Sequence, residues 1–302
     1  SVSAMSVSTF SIVALDRQTG EIGIAVASKF LAVGAVVPLA QAGVGGIATQ
    51  AWANLSYGPE GLRLLSGGTP ADEVVRRLVE PDEHRQQRQM GVVEAKRRQV
   101  GIVDPQGRAA AHTGDECMTW AGHRSGDGFT CQGNILAGPQ VVEAMAETFQ
   151  RTAGPLPERL VAVLEAGQGQ GGDSRGQQSA ALYVVKEKGS YGGYLDRYID
   201  LRVDDHPTPI AELRKLLDLH RLYFATTDRA LTLLAGNVVR ELQEILTRVG
   251  FYQGTITSEY DDATKEAFRR FCGVENFEER WREDDQVDRE ILNYMRRRYG
   301  KA

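Results

Sequence analysis

The densest concentration of polar side chains in this chain lies in a glycine-rich stretch, Gly172-Asp173-Ser174-Arg175-Gly176-Gln177-Gln178-Ser179, directly ahead of an apolar run from Ala180 to Val185. A loop pinned at the entrance of a buried strand is a common place for function, since the strand holds what the loop presents. Asp173 offers a carboxylate, and Arg175 a guanidinium that either pairs with it or takes a carboxylate from a ligand. Gln178 and Ser179 add neutral donors and acceptors.

Several other chemistries are set aside on spacing. Asp204-Asp205-His206 has the right atoms for a divalent ion, but neighbours on a strand point to opposite faces and rarely converge, so a strand-end role is expected. His112, His123 and His220 have no spaced partner, so neither a metal nor any other cofactor is expected. Cys131 reads as a small packing residue rather than a nucleophile. Gly43-Val44-Gly45-Gly46 lacks the Gly-Lys-Ser/Thr ending of a phosphate loop. Three cysteines without a Cys-x-x-Cys spacing suggest a reducing compartment, and the cytoplasm is the expected location. The net charge of −5 carries no basic patch, so neither nucleic acid nor an anionic membrane is an expected partner. No stretch approaches the roughly 20 apolar residues of a membrane helix, and the first eight residues show no export pattern.

The elements that must position these groups follow from periodicity. Alternation over Thr9–Ala14 and again over Ile22, Ile24 and Val26, around Asp16-Arg17-Gln18-Thr19-Gly20, predicts a hairpin. Val33 to Ala40 and Val44 to Ala51 predict two more strands. Helices are expected from Pro59 to Leu65 and after Thr69-Pro70-Ala71-Asp72, which reads as an N-cap, a first-turn proline and an acidic residue. Strands are expected between Gln89 and His112 and from Phe129 to Leu136, then helices over Val141–Phe149 and Leu156–Leu164. Gly167 to Gln178 should be irregular, followed by strands Ala180–Val185 and Tyr198–Val203 and a helix Ile210–Phe224. Arg88-Gln89-Met90-Gly91-Val92-Val93-Glu94 recurs as Arg98-Gln99-Val100-Gly101-Ile102-Val103-Asp104, a local duplication rather than a solenoid. This order predicts an α+β protein of antiparallel sheets flanked by helices.

Five motifs in order carry a resemblance: Thr9-Phe10-Ser11-Ile12-Val13-Ala14, Ala27-Ser28-Lys29-Phe30-Leu31-Ala32-Val33-Gly34, Ala48-Thr49-Gln50-Ala51-Trp52-Ala53-Asn54, Gln132-Gly133-Asn134 and the glycine-rich loop. Together they resemble a bacterial family of unknown function assigned to the N-terminal-nucleophile (Ntn) hydrolase-like fold, over about residues 9 to 225. The resemblance implies a four-layer αββα sandwich. It also implies Thr9 as nucleophile, with its own α-amine, of pKa about 7.7 to 8.0, as base. On that reading Ser28 and Lys29 flank the nucleophile, Gln50 and Asn134 surround the oxyanion, Asp173 orients Thr9, and Arg175, Gln178 and Ser179 meet the substrate. Eight residues precede Thr9, so the amine is free only after cleavage at Ser8-Thr9, with Val7-Ser8 an analogous cut.

The tail carries a second resemblance. Val239 to Leu246, Gly250-Phe251-Tyr252-Gln253-Gly254 and Tyr260 to Phe271 are similar to a peptidoglycan-binding-type three-helix module, with Tyr252, Tyr260, Asp261 and Asp262 as ligand-facing candidates. The expected organisation is a leader over 1–8, an Ntn-like domain over 9–225, a linker and helix start over 226–236 and a small all-α domain over 237–302. The expected function is amide hydrolysis on a small amide or peptide; the alternative is a noncatalytic ligand-binding or assembly module. Cell-wall glycan or peptide is the tail's expected partner, and a homo-oligomer the expected assembly.

Overall fold

Alternating side chains along Thr9–Leu15 (β1) and Ile22–Ser28 (β2) pair the two as an antiparallel hairpin, from Thr9 opposite Ser28 to Leu15 opposite Ile22. Asp16 turns the chain between them, its carboxylate accepting from the Gln18 and Thr19 amides, and Gly20 supplies a φ of 75°. The computed structural model describes residues 9–95, 108–224 and 230–300. The chain divides into two units, Ser1–Leu217 and Asp218–Ala302.

In the first unit the hairpin sits at the centre of a six-stranded sheet with Gly122–Gly126 (β7), Phe129–Asn134 (β8), Ser179–Val185 (β9) and Arg197–Val203 (β10), in the order β10-β9-β2-β1-β8-β7. A four-stranded sheet holds Pro38–Gln41 (β3), Gly45–Ala51 (β4), Arg88–Glu94 (β5) and Ala109–Thr113 (β6) in sequence order. Among the described residues every strand pairing in these two sheets is antiparallel. The first unit also contains Tyr57–Ser66 (α1), Ala71–Val79 (α2), Pro139–Arg151 (α3), Leu156–Gly169 (α4) and the start of Pro209–Phe224 (α5).

The period of two sorts side chains between the faces of these sheets. Phe10, Ile12 and Ala14 pack with Met145 of α3 and Leu160 and Leu164 of α4. Ile47, Met90 and Val92 pack with Leu65 of α1 and Val74 and Leu78 of α2. The opposite faces meet each other: Val13, Ile24 and Val26 share a cluster with Ala48 and Val93. Thr9 and Ser11 lie on the Val13 face, between the sheets.

The second unit packs Asn237–Arg248 (α6), Asp262–Val274 (α7) and Arg289–Tyr299 (α8) around Leu242, Leu246, Phe268, Phe271, Ile291 and Met295. It is not all helical, because Leu231–Leu233 (β11) pairs with Gln286–Asp288 (β12). The described residues thus form a mixed protein of eight α-helices and antiparallel sheets.

Four local expectations change. Val33 to Ala40 is not one strand: Ala32 takes a φ of 50°, Val33–Ala35 closes a tight turn, and only Pro38–Gln41 extends. Thr69 does not cap α2, whose preceding residue is Pro70. Helix α4 runs into the glycine-rich stretch as far as Gly169, since Gly167 is packed against Met145 and Phe10 where a side chain would crowd them. The edge strand β7, with exposed His123, Arg124 and Ser125, lacks the alternation that reveals a strand. The leader over 1–8, the second copy of the repeat and the part of the expected linker up to 229 lie outside the described residues.

Gly91 lies where the two sheets approach closely. A Cβ there would sit 2.3 Å from Gln132 Oε1 and 2.8 Å from Thr130 Cγ2. Gly91→Ala should therefore cost about 1–3 kcal/mol by overpacking, read from the urea midpoint. An unchanged midpoint would show that Gln132 swings aside freely.

Candidate functional site

Strand register brings four of the expected residues into one transverse row. Asn134 of β8 is opposite Thr9 of β1, Thr9 opposite Ser28 of β2, and Ser28 opposite Ser179 of β9. All four are buried. Thr9 Oγ1 donates to Ser28 Oγ at 3.2 Å. Ser179 is engaged in the adjoining turn: its hydroxyl donates to the Phe30 carbonyl at 2.5 Å and accepts from the Val33 amide at 3.1 Å.

Asp173 lies beyond this row, against the chain that leaves β2 after Ser28. Its carboxylate, 3% exposed as a residue, accepts the Lys29 amide at 2.8 Å and the Arg175 amide at 2.9 Å. The Arg175 guanidinium lies 3.4 Å from the same carboxylate and donates to the Lys29 carbonyl at 3.3 Å. One buried acid thus ties the glycine-rich loop to the chain leaving β2. Gln178 adds a second tie, its amide donating to the Ser28 carbonyl at 3.1 Å and its side chain to Asp205 at 3.2 Å.

Between the sheets lies a buried polar network. Gln50 Nε2 donates to Gln89 Oε1 at 2.8 Å and reaches the Thr9 carbonyl at 3.4 Å. Asn134 Nδ2 donates to the same Gln89 Oε1 at 3.1 Å. Ser11 donates to Gln50 Oε1 and accepts from Gln132 Nε2, both at 2.7 Å. Ser11, Gln50, Gln89, Gln132 and Asn134 are each 0% exposed. Ala51 and Ile135, the residues after Gln50 and Asn134, take φ values of 65° and 53°, where L side chains cost energy. Such backbone persists only where the surroundings over-determine it.

Other expected residues stand apart from this centre. The Lys29 side chain is exposed, and its contributions are its backbone amide and carbonyl. Thr49, the motif residue before Gln50, faces the other side of β4 and donates to the Asn54 carbonyl at 3.4 Å. Cys131 lies in the helix-side core, where burial pushes its thiol well above the ordinary range. No group of three or more potential metal ligands occurs among the described residues. Asp82 forms a separate centre: although burial opposes its charge, hydrogen bonds from Tyr57, Arg88, the His84 amide and Asn54 outweigh this and hold its carboxyl below the usual range. It borders a cleft of about 660 Å³ that Asn54, Tyr57, Arg63, Arg77 and His84 also line. In the second unit Tyr252 is core rather than ligand-facing, with its hydroxyl on the Thr255 carbonyl at 2.8 Å, and Asp261 is the cap of α7, accepting the Thr264 amide at 2.8 Å.

Sequence reasoning missed Ser11, Gln89 and Gln132 as members of the network. Their signal is polar residues at inward positions of otherwise apolar strands. Removing the Asp173 carboxylate should loosen the row: Asp173→Ala leaves two buried amides without their acceptor and should cost about 2–3 kcal/mol, and Asp173→Asn distinctly less, because one oxygen remains. Equal denaturation midpoints for Asp173→Ala and the parent chain would refute the clamp.

Comparison with known proteins places this architecture. A family model described as "Family of unknown function (DUF1028)" matches residues 9–98 and 94–213, and one described as "Putative peptidoglycan binding domain" matches residues 223–295. The crystal structure of protein SPO2555 from Silicibacter pomeroyi, which carries the first of these models, is similar at a TM-score of 0.62 and 31% identity, covering 71% of this chain and 86% of that one. No curated protein matches. The row of Thr9, Ser28, Asn134 and Ser179 falls wholly inside the first match, and by that match the chain belongs to the DUF1028 family of unknown function, with a peptidoglycan-binding-type domain behind it.

Proposed function

We propose that the first unit is an amidohydrolase of the Ntn type, acting on a small amide or peptide, with Thr9 as nucleophile. The observation that carries this reading is the setting of the Thr9 hydroxyl: it heads a central strand, is buried between two sheets, bonds to Ser28, and has the amides of Gln50 and Asn134 beside its strand end. The packing order supports a four-layer αββα arrangement, with α3 and α4 on one sheet, α1 and α2 on the other, and the two sheets face to face.

On this reading cleavage before Thr9 frees its α-amine, whose pKa of about 7.7 to 8.0 suits a base at neutral pH. The amine takes the proton from Oγ1 as that oxygen attacks the substrate carbonyl, then gives it to the departing nitrogen. Amide N–H groups of Gln50 and Asn134 are the donors nearest the developing negative oxygen. Water, activated by the same amine, releases the acyl group from Thr9. Asp173 holds the neighbouring loop in place, and Arg175, partly exposed, is the group that meets a substrate carboxylate.

Intact mass and N-terminal sequencing of purified protein should find a chain that begins at Thr9, and that form should hydrolyse members of an amide panel. Thr9→Ala should lower turnover by on the order of 10³-fold or more while keeping the fold. Turnover that survives Thr9→Ala would refute the nucleophile.

The second unit is proposed to bind cell-wall glycan or peptide, a reading supported by the family match over residues 223–295. The full chain should co-sediment with purified sacculi, and a chain ending at Phe224 should not. Equal sedimentation of both would remove the wall ligand from this unit.

A further inference from the structure

Gln89 accepts from both amides that flank Thr9, and its own orientation is fixed by its surroundings. Its Nε2 faces three acceptors: the Gly133 carbonyl at 2.9 Å, the Gly122 carbonyl at 3.1 Å and Thr113 Oγ1 at 2.9 Å. Two of these are backbone oxygens that only accept, so the amide nitrogen must lie on that side and Oε1 on the other. Oε1 then meets Gln50 and Asn134, and both must turn an NH₂ group toward it.

The consequence runs onward. With Gln50 Nε2 committed to Gln89, Gln50 Oε1 faces Ser11, whose hydroxyl proton is thereby spent, and Ser11 Oγ accepts from Gln132. Gln89, on the opposite sheet from Thr9, sets this sense together with two backbone carbonyls of β1: Thr9 accepts from Gln50 Nε2 at 3.4 Å and Ser11 from Gln132 Nε2 at 3.3 Å.

We propose that Gln89 is the positioning residue of the candidate site: it fixes the amide orientation of Gln50 and Asn134 beside Thr9. Its chemical role rests on the Ntn reading above; its orienting role does not. Gln89 touches no substrate atom and acts through the two amides it holds. Gln99, at the same place in the ten-residue repeat, provides a control matched in sequence.

Side-chain amide hydrogen exchange, followed by NMR in the full chain, tests the orientation without any substrate. Gln89→Met removes the shared acceptor at similar volume and should speed exchange of the Gln50 and Asn134 NH₂ groups about tenfold, with backbone exchange in β1 and β8 unchanged. Gln89→Glu, protonated at acid pH, restores an accepting oxygen and should restore slow exchange. Gln99→Met should change nothing. Unchanged exchange in Gln89→Met overturns the proposal, as does a general rise across β1 and β8, which marks a merely structural role. The same effect from Gln99→Met would hand the role to the second copy and overturn the assignment to Gln89.

A β-lactone probe tests the chemical side on chain beginning at Thr9. Thr9 Oγ1 attacks the lactone carbonyl, the ring C–O bond breaks, an ester forms on Thr9, and the hydroxyl proton passes through the α-amine to the released alkoxide. Labelling, read by intact mass, should slow about tenfold in Gln89→Met. Labelling at the parent rate in that variant overturns the positioning role. Failure of the parent chain to label at Thr9 instead sinks the Ntn reading, and the exchange data then decide the orienting role alone.

Discussion

Amide groups buried between two β-sheets must satisfy one another, because no solvent is there to do so and each unmet donor or acceptor costs about 1–3 kcal/mol. That constraint governs the first unit. Ser11, Gln50, Gln89, Gln132 and Asn134 answer it with one connected set of bonds that crosses from sheet to sheet and takes up the Asn134 NH₂ group. The glycines near it belong to the same solution: Gly91 makes room for Gln132, and Gly133 and Gly122 offer bare carbonyls to Gln89. Apolar contacts hold the remainder of the interface, through Val13, Ile24, Val26, Ala48 and Val93.

At one end of the polar strip stands Thr9, and the loops beyond it are fastened by a different device. Asp173 accepts backbone amides from both Lys29 and Arg175, a pattern in which a single carboxylate replaces the ladder bonds that a strand would supply. The sheets hold the side chains, and Asp173, with the ties made by Gln178 and Ser174, holds the loop. A nucleophile in such a place is pre-positioned rather than flexible, which suits the chemistry proposed for it.

Much of this was legible in the sequence. The β1–β2 hairpin announced itself through alternation and the Asp16 to Gly20 turn, and the amphipathic helices through their leucine and valine spacing. Strand β7 was not legible, since an edge strand with His123, Arg124 and Ser125 exposed has no apolar face to advertise. The turn at Val33–Ala35 was hidden because nothing in Ala32 signals a left-handed backbone. At the site, Thr9, Ser28, Asn134 and Asp173 could be named from motif resemblance. Gln89 could not, because its role depends on which residues of three distant strands lie across from it. Tyr252 misled for the opposite reason: an aromatic beside glycines looks like a ligand platform until its hydroxyl is seen to close its own loop.

The alternation of faces acts as a parity rule. In β1 the odd-numbered residues meet the other sheet and the even-numbered ones meet the helices, so inserting a single residue inside the strand would exchange Thr9 and Ser11 for apolar neighbours, whereas two would preserve the sense. Length change is cheap in the connecting loops and costly in odd steps within strands. In β5 the same parity puts Gln89, Gly91 and Val93 on the face toward the other sheet, and the ten-residue sequence repeat has an even period, so that in sequence these three recur in kind as Gln99, Gly101 and Val103.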